Sequence, residues 1–153
     1  MTTYPFTYRT KQDVLEAAAS IIKEHFRREG GEYTSATEAQ RFLMTKLSCR
    51  DQEVFAILLL DSQHRLIAYK ELFFGTIDSA SVYPREIVKV ALAHNAAAVI
   101  LSHNHPSGIT LPSQADIQIT ERIKKALELI DIRTLDHIIV GEDSYSLAGN
   151  GYL

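Results

Sequence analysis

The sequence is poor in cysteine, in excess positive charge and in long apolar runs. Its 153 residues include one cysteine, Cys49, which excludes an internal disulfide and a zinc site built on several thiolates. The formal net charge of −3 gives no basic excess for nonspecific binding to nucleic acid. No apolar run approaches the roughly 20 residues that span a bilayer, and the first residues lack the pattern of a secretion signal. We therefore expect a reduced, cytoplasmic protein with no membrane partner.

Apolar residues make up 46% of the chain, enough to bury a core without disulfides or a structural metal. Their spacing predicts four helices. Three of them run over 13–28, 84–95 and 113–130. The other is capped by Ser35 or Thr37 and ends near 48–50. The spacing also predicts strands over 53–60, 65–74, 97–103, 133–140 and 145–147. Because helices alternate with strands after an initial hairpin, we predict an α/β fold with a mixed β-sheet flanked by helices. Residues 1–34 are assigned to an N-terminal helical extension and 35–153 to the main domain.

Two histidines and one carboxylate come together in the sequence around 103–116. His103 and His105 are two positions apart, so their side chains lie on the same face of an extended strand. After a loop that contains two prolines and one glycine, Ser113 and Asp116 open the next predicted helix. Two imidazoles and a carboxylate are the ligands with which a catalytic zinc keeps its fourth position for water. The sequence thus predicts a Zn²⁺ site at His103, His105 and Asp116, suited to amide hydrolysis.

Such a site needs a general base, and the residue pattern leaves three carboxylates open. Glu53 precedes the first apolar strand, Glu71 lies near the end of the second, and Glu86 lies in the first turn of the following helix. Any of them can accept a proton from water if the fold brings it near the histidines.

Two of these features also have plainer explanations. Ser113 and Asp116 form the pattern of a capping box, in which each side chain accepts a hydrogen bond from a backbone N–H. The preceding histidines favour the metal site, and we expect Asp116 to leave the local hydrogen bonds to Ser113 or Asn104. His137 falls within an apolar strand, where a hydrogen-bonded structural histidine is the first interpretation and a contact to the metal ligands is the second.

The segment His103–Asp116 resembles the His-x-His-x7-Ser-x2-Asp pattern of the JAB/MPN (JAMM motif) zinc metalloproteases, whose isopeptidase members remove ubiquitin. Flanking residues 75–78, 84–86, 96–108 and 136–141 resemble the bacterial RadC-like branch of that family, and the similarity covers about residues 35–153. The resemblance implies a JAB/MPN domain with a three-layer α/β/α architecture similar to cytidine deaminases.

The resemblance also implies roles. His103, His105 and Asp116 would bind zinc, Ser113 would hold the oxyanion, and Glu53 would be the base, with Glu71 as second choice. The expected activity is zinc-dependent hydrolysis of peptide or isopeptide bonds in a peptide or protein substrate. The alternative is an accessory protein of DNA repair or mobile-element maintenance that acts through partners or nucleic acid, which the acidic composition does not favour.

Overall fold

The computed structural model describes residue 8 and residues 10–28, 36–76 and 81–153. Within these ranges the chain forms four α-helices, five β-strands and a short 3-10 helix. In chain order the elements are α1 (Lys11–Arg28), α2 (Ala36–Leu47), β1 (Val54–Leu60), β2 (Leu66–Phe74), α3 (Pro84–Ala93), β3 (Ala98–Asn104), α4 (Gln114–Glu128), β4 (Arg133–Val140), β5 (Ser144–Ser146) and the 3-10 helix Ala148–Asn150. The predicted order of helices and strands is confirmed, with ends that shift by a few residues.

The predicted caps of α2 and one of the flanking segments lie at the ends of the described ranges or outside them. Thr37 lies inside α2, which begins at Ala36, so it is not the N-cap of that helix. Ser35, the other predicted cap, lies outside the described residues, as do 77–80, which include part of the flanking segment 75–78.

The strands form one mixed sheet with the order β2-β1-β3-β4-β5. Strands β3 and β4 are parallel, whereas β1 pairs antiparallel with both β2 and β3. Because Phe55 of β1 pairs with His103 of β3, the start of β1 and the end of β3 meet at the same end of the sheet. The predicted α/β class with a mixed sheet is confirmed, and the candidate site lies at this end.

Alternate residues of the central strands face two different helical layers, as expected from the two-residue repeat of a strand. In β1, Ala56 and Leu58 pack in a core with α1 and α2, whereas Phe55 and Ile57 pack in a second core with α3 and α4. This arrangement is the three-layer α/β/α architecture. His103 lies on the α3–α4 face, where its ring stacks on Phe55 with centroids 6.1 Å apart.

Helix α1 packs against α2, and Ala19 and Ile22 of α1 share a core with Ala39 and Phe42 of α2. The assignment of residues 1–34 to a separate extension stays a prediction. Among the helices in the described ranges, none combines the length and apolarity needed to cross a bilayer.

Candidate metal centre

The pairing of β3 with β4 places His103 and His105 on the same face of the sheet, at the end of β3. His103 lies in β3, and His105 follows the strand directly. The His105 N–H donates to the Val140 carbonyl at 2.8 Å, which continues the β3–β4 hydrogen bonding by one step. His105 thus returns to the face of His103, and the two Nε2 atoms lie 2.9 Å apart.

The first turn of α4 brings the carboxylate. The Ser113 N–H donates to Asp116 Oδ2 at 2.8 Å and the Asp116 N–H donates to Ser113 Oγ at 3.1 Å, so the capping box forms. Asp116 Oδ1 lies 3.1 Å from His103 Nε2, and Oδ2 lies 3.4 Å from His105 Nε2. Ser113 supplies one of the local hydrogen bonds, as expected. The expectation that Asp116 would not cap the helix is wrong, because its carboxylate both caps α4 and faces both histidines.

The donor set fits a zinc ion in chemistry and in spacing. One ligand atom from each of His103, His105 and Asp116 lies within 4.8 Å of the other two. Atoms bound to one tetrahedral zinc at about 2.0–2.1 Å lie roughly 3.3 Å apart, close to the separations of 2.9, 3.1 and 3.4 Å found here. His103 and Asp116 are buried. The His105 side chain is 17% exposed, so the group is accessible to solvent at His105.

The tautomer of His105 suits metal binding. Its Nδ1 lies 2.8 Å from the Ile109 carbonyl, which can only accept a hydrogen bond. Nδ1 therefore carries a hydrogen and donates it. When the ring is protonated, Nε2 donates to Asp116, and when the ring is neutral, Nε2 has a lone pair for a metal ion directed towards His103 and Asp116.

The pKa values of Asp116 and His105 are both shifted in favour of the charged forms. Burial raises the pKa of Asp116, but the hydrogen bonds from His103 and His105, the His103 charge and the Ser113 N–H together hold it well below its usual range. The hydrogen bond with Asp116 raises the pKa of His105, burial opposes this, and the Ile109 carbonyl and the charges of Asp116 and Glu53 add to the increase. Asp116 is therefore an anion at neutral pH, as a carboxylate ligand must be.

Glu53 lies at the same end of the sheet as the histidines. It directly precedes β1, and its carbonyl accepts a hydrogen bond from the Gly75 N–H at 2.9 Å. Extending the pairing of Phe55 with His103 by two residues sets Glu53 opposite His105. Its negative charge also contributes to the raised pKa of His105, which agrees with this placement.

Glu71 and Glu86 are engaged elsewhere. Glu71 pairs with Ala56, a residue of the α1–α2 core, and accepts from Arg50 Nη1 at 2.8 and 3.0 Å and from the Tyr69 hydroxyl at 2.7 Å. It therefore lies on the opposite face of the sheet from His103. Glu86 is 41% exposed and lies 3.4 Å from the Lys89 ammonium. Position thus favours Glu53 among the three carboxylates.

Two buried residues lie behind His103. His137 Nε2 is 2.8 Å from His103 Nδ1, and His137 Nδ1 is 2.5 Å from Thr120 Oγ1. Burial lowers the pKa of His137 well below its ordinary value, and the nearby His103 lowers it further, so His137 is neutral. His137 is therefore both a buried hydrogen-bonded histidine and a contact of His103. Thr120 was not among the residues predicted from the sequence, although its spacing of four residues from Asp116 places both on one helix face.

Asn104, between the histidines, points to the other face of the sheet. Its Oδ1 accepts from the Val54 N–H at 2.7 Å, and its Nδ2 donates to the Gln52 carbonyl at 3.0 Å. Asn104 thus binds the start of β1 rather than the start of α4.

The loop after His105 is held against the turn after β4. The Glu142 N–H donates to the Gly108 carbonyl at 3.1 Å, and Thr110 Oγ1 donates to Asp143 Oδ1 at 3.2 Å. Gly141 allows this approach, because a Cβ there would lie 2.4 Å from the Gly108 oxygen. A cleft of about 230 Å³ opens beside His105 between this loop and Arg50.

A three-layer α/β/α fold with a His-His-Asp group where β3 ends and α4 begins defines an α/β domain with a candidate metal centre. The family model described as RadC-like JAB domain matches residues 33–152. The chain therefore belongs to the RadC-like JAB domain family, and the resemblance noted in the sequence is confirmed.

Relatives in several bacteria support this assignment. A UPF0758 protein of Marinomonas sp. (strain MWYL1) is 55% identical over 145 residues, which cover 94% of this chain and 64% of that protein. One from Tolumonas auensis is 55% identical over 150 residues, covering 97% of this chain and 66% of the relative. One from Vibrio cholerae is 56% identical over 141 residues, covering 92% and 88% respectively. The chain thus spans slightly under two thirds of the length of the first two relatives.

Proposed function

We propose that this domain is a zinc-dependent hydrolase of amide bonds, in peptides or in isopeptide linkages. The observation that carries the proposal is the convergence of one ligand atom each from His103, His105 and Asp116 within 4.8 Å. The β1–β3 register, extended by two residues, sets Glu53 opposite His105, which supports Glu53 as the general base. Membership in the RadC-like JAB domain family agrees with the similarity of the motif to that of the JAB/MPN zinc metalloproteases.

In this proposal His103 Nε2, His105 Nε2 and an Asp116 carboxylate oxygen would hold Zn²⁺. Zinc bound there supplies a Lewis acid that polarises the scissile carbonyl and acidifies the attacking water. The Nδ1 atoms lie behind the rings, each 2.8 Å from a partner, His137 Nε2 for His103 and the Ile109 carbonyl for His105, so both Nε2 atoms face inward.

Glu53 and Ser113 move and stabilise charge in the reaction. The Glu53 carboxylate takes the proton from water and delivers it to the leaving amine. Ser113 Oγ accepts from the Asp116 N–H, so within the described hydrogen bonds its own O–H is left to donate to the developing oxyanion. Because Ser113 is the exposed N-cap of α4, its hydroxyl is accessible to a substrate at the site.

A peptide or protein is the proposed substrate, since the chemistry acts on an amide. The alternative role in DNA repair or mobile-element maintenance gains nothing from the comparisons, because the name UPF0758 of the relatives states no activity.

The test is a cleavage screen of a peptide library, with isopeptide-linked substrates included, by zinc-loaded protein. The wild type is compared with Glu53→Gln, and Glu86→Gln is the matched control. We expect the wild type and Glu86→Gln to cleave, and Glu53→Gln to bind zinc but to cleave at least 100-fold more slowly, in line with the loss of a general base. Equal cleavage by Glu53→Gln would remove Glu53 from the mechanism, and no cleavage of any substrate by the zinc-loaded wild type would contradict the proposal.

A further inference from the structure

A chain of buried hydrogen bonds connects His103 to the backbone of the helix that carries Asp116. It runs from His103 Nδ1 to His137 Nε2 at 2.8 Å, from His137 Nδ1 to Thr120 Oγ1 at 2.5 Å, and from Thr120 Oγ1 to the Asp116 carbonyl at 2.6 Å. His103, His137 and Thr120 are each at most 1% exposed, so the chain is shielded from water. It starts at one candidate ligand and ends at the backbone of another.

The direction of every hydrogen in the chain follows from its last member. A backbone carbonyl can only accept, so the Thr120 hydroxyl donates its single hydrogen to the Asp116 oxygen. Thr120 Oγ1 must then accept from His137, which requires a hydrogen on His137 Nδ1. The His137 side chain is completely buried, and within the described residues no carboxylate is among the hydrogen-bond partners of its ring. The imidazole is therefore neutral and carries one N–H, which leaves Nε2 as an acceptor.

The acceptor role of His137 determines the tautomer of His103. Because His137 Nε2 accepts, His103 Nδ1 carries the hydrogen and donates it. In the neutral form of His103 the lone pair then lies on Nε2, the atom that is 3.1 Å from Asp116 Oδ1 and 2.9 Å from His105 Nε2. Phe55 restrains the arrangement as well, since its ring stacks on His103 and meets His137 edge-on with centroids 5.5 Å apart.

We propose that His137 and Thr120 are positioning residues, which fix the tautomer and the orientation of His103 so that its Nε2 is presented to a metal ion. The inference rests on the proposed zinc site and adds two residues that do not themselves touch the metal. The same hydrogen bonds join His103, through His137, to α4, the helix that carries both Thr120 and Asp116.

Zinc affinity of paired variants tests the proposal without any measurement of activity. Thr120→Val keeps the shape of the side chain but removes the hydroxyl, so we expect zinc affinity to fall by about 10–100-fold. Thr120→Ser restores the hydroxyl and should keep affinity within a few fold of the wild type. Ser102→Ala is the matched control, because it removes a buried hydroxyl that donates to the Ile138 carbonyl at 2.8 Å on the other face of β3. Equal losses in Thr120→Val and Thr120→Ser, or in Ser102→Ala, would overturn the proposal.

The tautomer of His137 gives a second readout that does not need zinc. Long-range ¹H–¹⁵N correlation spectra of the metal-free wild type should show His137 with its hydrogen on Nδ1. A hydrogen on Nε2 would overturn the inference whether or not the protein binds zinc. A hydrogen on Nδ1 in a wild type that fails to bind zinc would instead overturn the proposed function, while the orientation of His103 would stand.

Discussion

The side-chain carbonyl of Asn104 accepts a hydrogen bond from the backbone N–H of Val54 at 2.7 Å, between residues 50 positions apart in the chain. This contact joins the end of β3 to the start of β1. It therefore fixes Glu53, the residue before Val54, relative to His103 and His105, the residues on either side of Asn104. One amide side chain on the far face of the sheet connects the candidate base to the candidate ligands.

Replacing Asn104 should destabilise the protein and disturb the site. Asn104→Ala leaves the buried Val54 N–H without its acceptor, and an unsatisfied buried donor costs about 1–3 kcal/mol. Denaturant unfolding of the metal-free protein measures this free energy. The control is Asn150→Ala, which removes an exposed side chain that donates to the Ser146 carbonyl at 2.7 Å and should cost at most about 1 kcal/mol. Equal losses in the two variants would show that Asn104 has no special structural role.

Glu71→Gln should separate stability from metal binding. The Glu71 carboxylate is 23% exposed and pairs with Arg50 at 2.8 Å, so loss of its charge weakens a partly buried ion pair and should lower the free energy of unfolding by about 1 kcal/mol. Because Glu71 lies on the other face of the sheet from His103, zinc affinity should stay within about twofold of the wild type. Isothermal titration calorimetry and denaturant unfolding check the two expectations. A large loss of zinc affinity would contradict the separation of Glu71 from the site.

Gly141→Ala should weaken zinc binding through the loop after His105. The added Cβ would lie 2.4 Å from the Gly108 oxygen and 2.7 Å from Thr110 Cγ2, so the loop that carries the Ile109 carbonyl must move. Since that carbonyl orients the His105 ring, we expect about a 10-fold loss of zinc affinity. The control Gly149→Ala meets only the Ser146 side chain, at 3.1 Å and beyond, and should leave zinc affinity unchanged. Wild-type affinity in Gly141→Ala would refute this role of the loop.

Ser113 has two proposed roles that two substitutions can separate. Ser113→Ala removes the N-cap and should lower the free energy of unfolding by about 1 kcal/mol, whereas Ser113→Gly should lower it by only a few tenths of a kcal/mol. Both remove the hydroxyl, so both should reduce the cleavage rate about 100-fold or more if Ser113 donates to the oxyanion. A rate loss that follows stability instead, large for alanine and small for glycine, would leave Ser113 with the capping role alone.

The helices and strands could be predicted from the sequence, and so could the part of the site that is formed by residues close together in the chain. The apolar run of β1 and the apolar spacing and capping pattern of α4 depend on neighbouring residues, and both were predicted. The group His103, His105 and Asp116 was predicted for the same reason, because one strand end, one loop and one helix start bring it together.

The rest of the site depends on pairing between distant strands, which periodicity alone does not determine. The antiparallel pairing of β1 with β3, extended by two residues, sets Glu53 opposite His105. Glu71 lies on the opposite face because the β1–β2 register shifts between Phe55 and Ala56 and pairs Glu71 with Ala56. His137 contacts His103 because β3 and β4 are parallel, with Leu101 beside His137. A shift of one residue in either register would reverse which side chains face the metal centre.

The most direct test of the central claim is the rate of peptide cleavage as zinc is added to chelator-stripped protein. If His103, His105 and Asp116 hold the catalytic zinc, cleavage rises from none and saturates at about one zinc per chain. His103→Ala should bind no zinc at that site and stay inactive, whereas His94→Ala, a histidine that contacts the Val90 carbonyl at the end of α3, should behave as the wild type. Cleavage that is independent of zinc, or that survives in His103→Ala, would contradict the account.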